Sequence, residues 1–62
     1  MDHSTIQSGK RYESASTGFR AHVDAIDIRN GVTFVQYHLL HNGVDCEVTL
    51  RDFTAHYRTV QP

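Results

Sequence analysis

The chain is 62 residues long, 39% hydrophobic, and carries 6 Lys and Arg against 7 Asp and Glu, a formal net charge of −1. A chain of this size buries only about 60% of its unfolded surface, which supports one thin core and excludes a core plus a deep substrate pocket. The charge balance excludes a global basic field for nucleic acid, and a single cysteine, Cys46, excludes an internal disulfide.

Residues 1–9 hold only Met1 and Ile6 as large apolar groups. Burial there cannot offset the entropy of ordering, so they read as a flexible arm ahead of one domain over 10–62. No apolar run approaches the roughly 18 residues of a membrane span, and Met1-Asp2-His3-Ser4 lacks a leader's basic and apolar regions. The expected setting is cytoplasmic, with no membrane partner.

From Lys10 onward the apolar period is two. Phe19, Ala21 and Val23 alternate with Arg20, His22 and Asp24; Val44, Cys46, Val48 and Leu50 alternate with Asp45, Glu47 and Thr49. That pattern predicts half-buried strands near 10–13, 19–28, 32–40, 44–50 and 56–60, an antiparallel meander without a long helix. Asn30-Gly31 and Asn42-Gly43 supply hairpin turns of the I′ type. A two-residue turn at Asn42-Gly43 pairs Leu39 with Cys46 and Val35 with Leu50, and the turn at Asn30-Gly31 pairs Ile26 with Val35. Continued unbroken, this register would place Asp24 in the core opposite Tyr37. One extra residue at Asp24-Ala25, a β-bulge, removes that unpaired buried carboxylate and bends the strand. The core face then takes Phe19, Ala21, Val23, Ile26, Ile28, Val35, Tyr37, Leu39, Val44, Cys46, Val48 and Leu50. Alternation stops at residues 51–55, where a single 3₁₀ turn is expected to drop Phe53 into the open end, before Tyr57 and Val60 return to the sheet.

This order of bent strands resembles small SH3-like barrel proteins of bacteria and phages. The resemblance is carried by Gly9-Lys10-Arg11-Tyr12-Glu13, by Thr17-Gly18-Phe19 and by the closing run from Val48 to Val60, and it spans about residues 9–60. It implies an all-β, five-stranded antiparallel SH3-like barrel and an accessory or inhibitor protein of a phage or mobile element. These are structural positions, so no activity carries over. Trp is absent, against recognition of Pro-rich peptides.

Five histidines are the compositional oddity. The bulged register makes His22 and His38 cross-strand neighbours on the outer face, with Glu47 opposite His38. Two imidazoles and a carboxylate are a zinc-type donor set, but side chains on one solvent face point outward in parallel. The row therefore reads as a solvated polar patch, with no metal and no cofactor expected. Catalysis lacks a motif, and Cys46, on the core face, has His38 on the opposite face of its neighbour; the chain is not expected to be an enzyme or to take a small-molecule substrate.

Three apolar residues fall on the outer face, Val32, Phe34 and Leu40. A domain with one core has nowhere to hide them, so the expected role is protein binding, most simply as a homodimer, through Phe34, Leu40, His38, His22 and Glu47. The alternative is a nucleic-acid-binding barrel using Lys10, Arg11, Arg51 and Arg58.

Overall fold

In the computed structural model, which describes residues 6–60, the alternating runs become β1 (Arg11–Ser14), β2 (Arg20–Arg29), β3 (Val32–Leu39), β4 (Asp45–Thr49) and β5 (Tyr57–Thr59). One helix, α1 (Leu50–His56), separates the last two strands. All pairings are antiparallel within one sheet of order β4-β3-β2-β1-β5. The sheet is not closed: β4 and β5 are its two edges. The expected meander holds through β4, after which α1 carries the chain across and β5 pairs with β1.

The two Asn-Gly dipeptides behave differently. Asn30 and Gly31 have φ of 52° and 77°, so both central residues of the β2–β3 turn are left-handed, as a type I′ turn needs. The expected pairs Ile26↔Val35 and Ile28↔Thr33 form. The register shifts between Val23 and Ala25, so the bulge lies where the phase change in the sequence puts it, with Val23 opposite Tyr37 and Ala21 opposite Leu39.

At the second dipeptide Gly43 alone is left-handed. The Asn42 carboxamide Oδ1 accepts the Val44 N–H at 2.9 Å, and the Leu39 N–H donates to the Val44 carbonyl at 3.0 Å. This side-chain-closed turn uses four residues, 40–43, rather than two. The β3–β4 register is therefore Val35↔Val48, Tyr37↔Cys46 and His38↔Asp45, two positions from expectation. An even displacement keeps apolar residues on one face. It does change the outer row, because Glu47 faces Gln36 and Asp45 takes its place opposite His38.

The expected 3₁₀ turn is a seven-residue α-helix. Thr49 is its N-cap, with Oγ1 accepting the Asp52 N–H at 3.2 Å, and Asp52 places a carboxylate at the positive end of the helix. Phe53 projects from α1 into the core, where it is 1% exposed. Its ring stacks parallel to Tyr57 at 4.5 Å and meets Tyr37 and Tyr12 edge-on at 5.1 and 5.6 Å. Tyr12, Ala21, Val23, Val35, Tyr37 and Phe53 form the buried core, with Leu39, Cys46, Val48, Leu50 and Tyr57 packed partly against it. Tyr12 is an addition to the expected core.

Four expected core residues are exposed: Phe19 at 51%, Ile26 at 37%, Ile28 at 68% and Val44 at 50%. Ile26 and Ile28 lie on β2 past its pairing with β1, and Phe19 and Val44 lie just outside β2 and β4. Ile6 packs against the core and the Gly9 N–H donates to the Val23 carbonyl at 2.8 Å. Residues 6–9 of the expected flexible arm are thus held to the sheet, and residues 1–5 lie outside the described residues. No described helix is long and apolar enough to cross a membrane.

Candidate functional site

Two surfaces remain once the core is assigned. The first is the outer face of β2, β3 and β4. Here His22 stands opposite His38, and His38 opposite Asp45. The bulge re-aims Asp24 onto this face, where each of its carboxylate oxygens lies 3.0 Å from His38 Nδ1. The His22 and His38 ring centroids are 5.3 Å apart. Towards the β2–β3 turn, Arg29 organises a second group: it pairs with Asp27 at 3.0 Å and with Glu47, and its guanidinium lies 4.2 Å over the Phe34 ring. Gln36 Nε2 also donates to Glu47 at 3.0 Å. Between the groups is an open depression of about 420 Å³ lined by Asp24, Gln36, Tyr37, Asp45, Cys46 and Glu47.

The five expected binding residues are therefore divided. His22 and His38 sit together, Glu47 belongs to the Arg29 group, and Phe34 is half-buried under that guanidinium. Leu40 is not on a strand; it is exposed in the β3–β4 turn, with its N–H donating to the Arg20 carbonyl at 2.9 Å. Of the basic residues, Lys10 immediately precedes β1, Arg11 opens it, Arg51 lies on α1, and Arg58 donates to Glu13 at 2.8 Å. All four are exposed.

The second surface is the distal edge of β2. The β1–β2 register runs only from Glu13↔Arg20 to Arg11↔His22, and the last bonds on that side join the Val23 N–H to the Lys10 carbonyl at 3.0 Å and the Gly9 N–H to the Val23 carbonyl at 2.8 Å. Beyond Val23, no described strand pairs with this side of β2. The unpaired stretch carries Ile26, 37% exposed, and Ile28. The signal for it was in the strand lengths: a four-residue strand at 10–13 cannot cover a ten-residue strand at 19–28.

Burial, and then the adjoining Tyr57 hydroxyl, raise the Tyr37 phenol well above the usual tyrosine range, so it stays neutral. Cys46 is a free, partly buried thiol beside Tyr37 in register. Comparison with protein-family models, curated proteins and solved structures finds no match for the chain.

Proposed function

We propose that the protein is a non-enzymatic protein-binding module whose partner is a second copy of itself, joined along the distal edge of β2. The observation that carries this reading is the edge itself: backbone donors and acceptors with no described strand beside them, flanked by exposed Ile26 and Ile28. Exposed apolar edges are templates for strand addition. Covering a large apolar side chain contributes about 1.5–3 kcal/mol, and a domain this small gains stability from each.

The edge is self-complementary. Antiparallel pairing of two copies about Ile28 places Ile28 opposite its equivalent and Asp27 opposite the second copy's Arg29, so apolar meets apolar and charge meets opposite charge. The outer face suits this role less: Phe34 already has a guanidinium over it, and four carboxylates share that face. Those carboxylates, and the use of Arg58 by Glu13, also favour protein over nucleic acid as partner. The strand order, the bulged second strand and the helix before β5 support reading the fold as an SH3-like sheet left open, with the second copy covering what closure would have hidden.

Light scattering over a concentration series tests the proposal. Wild type is expected at twice the 7.1 kDa chain mass, and Ile28→Glu at the single-chain mass with an unchanged circular dichroism spectrum. A wild type that stays monomeric at millimolar concentration, or a folded Ile28→Glu that still pairs, overturns it.

A further inference from the structure

The His22–His38 row holds a feature that the strand pattern alone does not show. Side chains on one sheet face point outward in parallel, yet ligand atoms of Asp24, His38 and Asp45 all lie within 4.8 Å of one another. The bulge is the cause. It adds Asp24 to the outer face beside His38, while the four-residue β3–β4 turn brings Asp45 directly opposite His38. Three adjacent strands thus each deliver one donor to one point, two from a paired position and one from the bulge.

We propose that Asp24, His38 and Asp45 bind one divalent transition-metal ion of the zinc or cobalt class. The nitrogen donor decides the class, since imidazole suits zinc and cobalt whereas magnesium and calcium take oxygen ligands. The nitrogen is also correctly aimed: Nδ1, not the far side of the ring, faces the two Asp24 oxygens at 3.0 Å. Bound donors sit about 2.0–2.2 Å from zinc, so the set closes onto an ion by torsion of the two exposed aspartates, with no backbone movement. The independent observation is His22, which lies outside that trio. Its ring centroid is 5.3 Å from that of His38, in direct register, so a second imidazole stands beside the trio on the same face. Glu47 is not part of the set, because Arg29 and Gln36 already hold its carboxylate.

The test uses the full chain titrated with zinc chloride by calorimetry, and with cobalt chloride by visible absorption. One equivalent is expected to bind, with the ligand-field bands of a nitrogen- and oxygen-coordinated cobalt ion. His38→Gln, Asp24→Asn and Asp45→Asn are each expected to weaken binding by more than about tenfold, since even outer partners of a metal site act on that scale. His56→Gln is expected to leave it unchanged, and a tenfold excess of calcium is expected not to compete. Circular dichroism confirms that each variant is folded. No binding below millimolar metal, or wild-type binding in any two of the three ligand variants, overturns the proposal.

Discussion

Phe53 and Tyr37 show how much of this fold rests on single side chains. Phe53 is the one buried residue of α1, and three tyrosines contact its ring. Phe53→Ala is expected to remove about 3–5 kcal/mol, comparable to the whole stability of a small domain, and denaturant titration should find the variant largely unfolded. Tyr37 makes a pH prediction whose sign follows from its raised phenol pKa. The unfolded chain ionises tyrosine near pH 10 while the folded core holds it neutral, so this stabilisation is complete below about pH 10 and is lost as pH rises beyond it. Melting temperatures measured between pH 9 and 12 should fall more steeply for wild type than for Tyr37→Phe. Phe53 was legible because a lone aromatic in a break of the strand pattern has nowhere to go but inward. Tyr12 was not, because Lys10 and Arg11 precede it and a four-residue strand is too short to display a period.

At the scale of elements, local hydrogen bonding decided what the alternation left open. The β2–β3 hairpin and its bulge were readable in full, since Asn30-Gly31 fixes one end of the register and the misplaced Asp24 demands the extra residue. Gly31 holds φ at 77°, so Gly31→Ala is expected to cost about 1–2 kcal/mol, measurable by chemical denaturation. The same dipeptide at Asn42-Gly43 misled, because an asparagine side chain can close a turn on its own backbone as well as adopt a left-handed conformation. The helix was legible in principle. Thr49-Leu50-Arg51-Asp52 is a threonine followed three residues later by an acid, the signature of an N-cap. Thr49→Ala is expected to destabilise by about 0.5–2 kcal/mol without changing the sheet, which thermal melts and amide spectra can separate. A loss well beyond that range would mean that Thr49 matters chiefly as the last residue of β4.

At the scale of the molecule, the sequence pattern identified which residues share a face but not whether the sheet closes over them. Closure depends on strand lengths and on where α1 lies, and alternation carries neither. That is why Phe19, Ile26, Ile28 and Val44 were placed in a core they do not reach, while Ala21, Val23, Val35 and Tyr37 were placed correctly. For the same reason the proposed binding surface differs from the expected one: the apolar edge left by the mismatch of β1 and β2 instead of Phe34 and Leu40 on the outer face. The outer-face polar row kept its histidines; it exchanged Glu47 for Asp45 through the two-position register change and gained Asp24 through the bulge. The central claim is that two copies pair along β2. Isotope-filtered nuclear Overhauser spectroscopy on a mixture of labelled and unlabelled chains tests it most directly. Contacts between the methyl groups of Ile28 across the two chains are the expected result; intermolecular contacts confined to Phe34 or Leu40, or none at all, would contradict it.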